Sequence, residues 1–97
     1  MEILQVYAQQ FWHDDAFIVG NRESLLMLMD AIATALESGT GKAECFVSDG
    51  EGFDIHVFCS SDDEISKMAF PYIDEVASGS PSGGDFGPWS LLAANVV

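Results

Sequence analysis

One run in this sequence is long enough and periodic enough for a multi-turn helix, and it dictates what the rest can be. Asn21 suits a helix N-cap, and Glu23 sits favourably in the first turn. Leu25, Leu28, Met29, Ile32, Ala35 and Leu36 then recur at helical spacing, with Leu26 and Ala33 widening the row. Gly39 and Gly41 supply the stop. The spacing predicts a helix over roughly 22–38 with one apolar stripe turned toward a core.

Shorter segments around it read as strands. Glu2 to Phe11 is rich in β-forming residues, Trp12-His13-Asp14-Asp15 reads as a turn, and Ala16-Phe17-Ile18-Val19 resumes an extended run, giving an antiparallel hairpin. Beyond the helix, Ala43, Cys45 and Val47 alternate with Glu44, Phe46 and Ser48. Phe53, Ile55, Val57 and Cys59 alternate with Asp54, His56 and Phe58. A loop of Gly50-Glu51-Gly52 would pair Asp49 with Phe53 and keep both apolar sets on one face, with Gly52 in the left-handed conformation. Ser61-Asp62-Asp63-Glu64 matches a capping box, so a short helix should run through Ile65 and Met68 and end before Pro71. Tyr72 to Val76 reads as a short strand or extended segment.

The expected fold is α+β, in the order β-β-α-β-β-(α)-tail. One main helix packs on one face of an antiparallel sheet of four or more strands. Residues 1–77 form the compact domain. Ser78-Gly79-Ser80-Pro81-Ser82-Gly83-Gly84 starts a linker, and residues 78–97 carry an apolar C-terminal tail with Phe86, Trp89, Leu91 and Leu92. That tail either folds back over the sheet or docks on a second copy to make a homodimer.

Charge is the second constraint. Sixteen acids face three bases, Arg22, Lys42 and Lys67, for a formal charge of −13 in 97 residues. A small domain ordinarily carries a net charge of about 2–8, and any excess repels itself. Such a surplus points to a positively charged partner or to a habitat that favours acidic proteins. It argues against direct binding of nucleic acid, which needs a basic stripe, and against adsorption to anionic membranes. No apolar run reaches the ~18–20 residues of a membrane span, and Met1-Glu2-Ile3-Leu4-Gln5 lacks the basic start of a signal peptide. With only Cys45 and Cys59, no disulfide framework is available, so a cytoplasmic protein with reduced thiols is the default. In the expected register the two cysteines are diagonal neighbours about 7–8 Å apart, beyond bonding range.

The residues that could carry chemistry are few. His13, Asp14 and Asp15, with His56, are ligand types, but their spacing matches no established metal site, and no metal or cofactor is expected. Cys45 and His56 fall on opposite faces of the strand pair, which rules out a nucleophile–base dyad. There is no phosphate-binding glycine loop and no nucleophile elbow. The acids are the stronger signal. Asp49, Glu51 and Asp54 surround the second hairpin, and Asp62, Asp63 and Glu64 open the short helix. Phe53 and Phe58 would anchor a partner within that negative face.

Gly20-Asn21-Arg22-Glu23-Ser24-Leu25, the helix ending Ala35-Leu36-Glu37-Ser38-Gly39, Asp49-Gly50-Glu51-Gly52-Phe53 and Phe70-Pro71-Tyr72 together resemble the small acidic immunity proteins of bacterial polymorphic toxin systems. The resemblance covers roughly residues 16–73. It implies a cytosolic protein that inactivates a cognate toxin by covering it. The leading expectation is therefore a non-enzymatic inhibitor that occludes a basic protein such as a nuclease toxin. The alternatives are an anti-CRISPR-type or nucleic-acid-mimic inhibitor of a bacterial defence complex, and a small metal-dependent enzyme using His13, Asp14, Asp15 or His56.

Overall fold

The computed structural model describes residues 1–72. Its elements run β1 (Leu4–Tyr7), β2 (Phe17–Gly20), α1 (Arg22–Ser38), β3 (Thr40–Phe46), β4 (Gly52–Phe58) and α2 (Asp62–Ser66). This is the α+β order read from the sequence. The expected linker and apolar tail, with the segment after Tyr72, lie outside the described residues. Two contact units divide the chain. Met1–Tyr7 and Phe17–Ser60 hold all four strands and α1, while Ala8–Ala16 and the described residues from Ser61 belong to the second.

Among the described residues the strands form two antiparallel ladders, β1 with β2 and β3 with β4, and not one sheet of four strands. They meet in a single parallel bridge, Ile3 to Phe46, where the Phe46 N–H donates to the Glu2 carbonyl at 2.8 Å. The rung does not propagate because a side chain replaces the strand. The Gln5 Oε1 atom accepts both the Ser48 backbone N–H (3.1 Å) and the Ser48 hydroxyl (2.5 Å). The Ser48 amide, which a continuing parallel ladder would need, is thereby satisfied outside it.

Helix α1 begins as its sequence dictates. The Asn21 side chain accepts the Ser24 N–H at 3.0 Å, and its amide donates to the Met1 carbonyl at 2.8 Å. Ser24 is fully buried, and its hydroxyl lies 2.5 Å from the Ile3 carbonyl, so the helix start is tied to the strand start. Gly39 ends the helix, donating its N–H to Ala35.

The helix face turned to the sheet matches the expected stripe only at Leu28 and Ala35. Ser24, Leu28, Ala31 and Ala35 are buried, whereas Leu25, Leu26, Met29, Ile32 and Leu36 are exposed. The reason is close approach. A Cβ on Gly41 would run into the Ala31 carbonyl, so helix and strand meet across their smallest residues. The core is correspondingly compact, built on Leu4, Ala31, Ala43 and Cys45 with Met27, Phe53, Ile55 and Val57 packed against it.

The β3–β4 register also differs from expectation. Glu44 pairs with Asp54, Cys45 with Phe53 and Phe46 with Gly52. The loop is Ser48-Asp49-Gly50, closed by the Val47 N–H to the Glu51 carbonyl (2.9 Å), and Gly50 rather than Gly52 is left-handed, at φ 93°. The Gly50 N–H bonds Val47 at 3.0 Å, which makes a type I turn followed by a glycine bulge. Parity is preserved, so each strand keeps its predicted faces, but every cross-strand partner changes. The cysteines are not diagonal neighbours after all: Cys45 is buried opposite Phe53, and Cys59 is exposed beyond the end of β4.

In the second unit, α2 carries the predicted capping box. Ser61 accepts the Glu64 N–H at 3.1 Å, and the Glu64 carboxylate accepts the Ser61 N–H at 3.2 Å. The turn at Phe11 to Asp14 likewise follows the Asp signal, with the Asp14 side chain accepting the Phe11 N–H at 3.1 Å.

Candidate functional site

The two faces of the β3–β4 hairpin have different chemistry. Gly41, Ala43 and Cys45 point toward α1 and are buried. The opposite face carries Lys42, Glu44 and Phe46 from β3 and Asp54, His56 and Phe58 from β4, as period-two alternation requires.

Along this outer face the ladder runs from a mixed end to an acidic end. Lys42 pairs with His56 across the strands, and the Lys42 ammonium lies 3.6 Å from the Glu44 carboxylate. His56 and Phe58 stack side by side, nearly parallel, with ring centroids 6.4 Å apart. One step further, Glu44 and Asp54 stand directly opposite each other. Like charges in that position destabilise a ladder. Beyond them the loop presents Asp49 and Glu51, both exposed. From Ala43 to Ile55 the hairpin therefore carries Glu44, Asp49, Glu51 and Asp54 and no base.

An open depression at this end is lined by Glu44, Cys45, Phe46, Gly52, Phe53 and Asp54. Gly52 offers no side chain opposite Phe46, whose ring lies over the glycine. The half-buried Phe46 is thus the aromatic that sits beside the paired carboxylates.

The predicted site residues separate into three groups. Asp49, Glu51 and Asp54 share the hairpin, with Phe58 on the same outer face toward its other end. Phe53 is not on that outer face: it packs against the core and also lines the depression at the acidic end. Asp62, Asp63 and Glu64 lie in the second unit, in the first turn of α2, and the last two have local partners. Glu64 closes the capping box, and Asp63 pairs with Lys67 at 3.0 Å. Asp49 also serves its own loop, accepting the Glu51 N–H at 3.0 Å.

Sequence reading missed Glu44 and Phe46. The signal that finds them is the dipeptide Asp49-Gly50, which favours a turn and fixes the pairing of Glu44 with Asp54 and of Phe46 with Gly52.

The residues weighed as metal ligands do not form a shared site in one unit. His13, Asp14 and Asp15 lie in the second unit and His56 in the first, and among the described residues no three such ligands come together. His13 is left-handed, at φ 63°, and its ring stacks on Trp12 with centroids 4.0 Å apart. Of the two thiols, Cys45 has its pKa raised by burial, with the Glu2 carboxylate adding to the effect, so it is held as the unreactive neutral form.

The fold and this hairpin define an α+β domain with one acidic strand-pair face. Compared with known proteins, the chain matches no family model, no curated protein and no solved structure. Among the described residues, no helix is long and apolar enough to cross a membrane.

Proposed function

We propose that this chain is an acidic inhibitory binding protein, active in the cytoplasm, that covers a basic surface of another protein as immunity proteins of toxin systems do. The contact surface is the outer face and tip of the β3–β4 hairpin. Glu44, Glu51 and Asp54 supply the charge, and Phe46 supplies an apolar anchor among them. A basic protein such as a nuclease toxin is the partner this surface fits.

One observation carries the reading. Glu44 and Asp54 oppose each other in the ladder, an arrangement that costs the isolated protein stability, and neither the turn nor a helix cap needs either charge. A cationic partner relieves that repulsion on binding. The charge then governs encounter rate and specificity, while burial of Phe46 supplies affinity. No step in this function requires a reaction at the site.

The test is affinity capture from the source organism with the native chain and with the Glu44→Gln/Asp54→Asn double variant, followed by a salt titration. The expected result is a basic protein retained by the native chain, lost with the variant, and released as salt rises. An acidic partner, or capture indifferent to both salt and variant, would overturn the proposal.

A further inference from the structure

The helix presents two parallel rows, and among the described residues only one is buried. Ser24, Leu28, Ala31 and Ala35 line the buried row. Leu25, Met29, Ile32 and Leu36 repeat the same 4-3-4 spacing one residue further on, and all are exposed, Met29 to 58% and Leu36 to 71%. Leu26 and Ala33 flank this second row, so it carries no charge from Leu25 to Leu36. It extends about 16 Å along the axis, three turns of helix. A row with apolar residues three and four apart is the seam that a second helix fills.

We propose that α1 pairs with α1 of a second copy, antiparallel and about a two-fold axis between Met29 and Ile32. This rests on the exposed row and the two charges that border it, and is independent of the acidic hairpin. The row is self-complementary in that orientation: Leu25 meets Leu36 of the second copy, and Met29 meets its Ile32. A two-fold interface requires that symmetry.

Charge selects the orientation. Of the three bases, Lys42 and Lys67 pair within the chain, with Glu44 and Asp63. Among the described residues Arg22 has no ion pair. It continues the apolar row at its N-terminal end, and Glu37 borders the row at the other end. Antiparallel pairing brings Arg22 beside Glu37 of the second copy at both ends of the seam. Parallel pairing would set arginine against arginine and glutamate against glutamate.

The copies also repel through their net charge, so assembly responds to salt in a characteristic way. Screening shortens the repulsion from a Debye length of ~8 Å at physiological salt to under ~5 Å at roughly 0.5 M, while the apolar seam is unaffected. Self-association tightens as salt rises, opposite in sign to capture of a cationic partner. A single helix pair buries less than the ~800 Å² per partner of a standard interface, so the dimer is reversible and concentration-dependent.

The experiment is sedimentation of the full chain across protein concentration at low and high salt, with circular dichroism checking each variant's fold. The native chain should approach twice its monomer mass, more readily at high salt. Met29→Lys/Ile32→Lys should weaken association by on the order of a hundredfold, since it places unpaired ammonium groups in the seam. Leu36→Gln, at the most exposed position of the row, repeats the test with a change the fold does not feel. Arg22→Glu should weaken association several-fold, and adding Glu37→Arg should restore it. A native chain that stays monomeric at every concentration and salt overturns the proposal. So does a dimer that survives Met29→Lys/Ile32→Lys. Loss of the dimer by Trp89→Asp alone would assign the contact to the C-terminal tail and also overturn it.

Discussion

Gly41 lies directly beneath the Ala31 carbonyl of α1, at a distance where even a methyl group has no room. Gly41→Ala must push the helix off β3 along its whole buried row. The expected cost is about 3 kcal/mol, at the upper end of overpacking effects. Urea denaturation of the native and substituted chains measures it, and a loss below ~1 kcal/mol would mean that helix and strand can move apart at little cost.

The start of α1 is held by two side chains with separable contributions. Asn21→Ala removes the cap and should cost about 1 kcal/mol. Ser24→Ala removes a fully buried hydroxyl that bonds the Ile3 carbonyl, but that carbonyl keeps the Asn21 N–H at 3.1 Å, so the loss should stay near ~1 kcal/mol. Because both changes act on the same three-residue stretch of chain before β1, their effects should be non-additive in a double-mutant cycle.

Asp54→Asn removes the like-charge contact with Glu44 and leaves the Lys42–Glu44 pair in place. The variant should gain about 0.5 kcal/mol at low ionic strength, with the gain shrinking as salt is added. The same change should weaken capture of a basic partner. A variant that is more stable and binds less is the expected signature of a surface kept for recognition, and thermal melts at two salt concentrations read the stability half.

Cys45 gives the protein an alkaline limit. Its pKa is raised in the folded state by burial first and by Glu2 second, so the neutral thiol is the form that folding favours. The contribution is therefore full below the ordinary thiol value of about 8.5 and is lost as pH rises through the raised folded value. Stability should fall on that alkaline side, and Cys45→Ala should flatten the slope while lowering stability overall. Thiol labelling offers a direct check: the exposed Cys59 should react quickly in the native protein, and Cys45 only as the chain unfolds.

Much of the fold was legible in the residues themselves. Asn21, Gly39 and the capping box at Ser61 mark helix ends through hydrogen bonds a sequence can announce. The alternation in β3 and β4 fixed both faces correctly, because parity survives a register error. What could not be read was which apolar row of α1 faces inward. Of the expected stripe, Leu28 and Ala35 face inward while Leu25, Met29, Ile32 and Leu36 face out, because a strand carrying Gly41 and Ala43 draws the small Ala31 and Ala35 into close range. That preference is a property of the pair of elements, not of either alone. The break between the two ladders was equally hidden, since it depends on one Gln5 side chain reaching Ser48 across 43 positions of chain. Of the candidate site, the acids of the hairpin were visible, while Glu44 and Phe46 emerged only with the true pairing.

The seam between α1 and β3 also sets how the sequence can vary. Its positions are already at minimum volume, so nearly any replacement at Ala31, Ala35, Gly41 or Ala43 adds atoms where none fit. One residue out of phase, the outward row tolerates exchange without disturbing the domain itself. A saturation library scored for folding should reveal two interleaved columns along a single helix, one frozen and one permissive, and scoring the same library for self-association should invert the pattern.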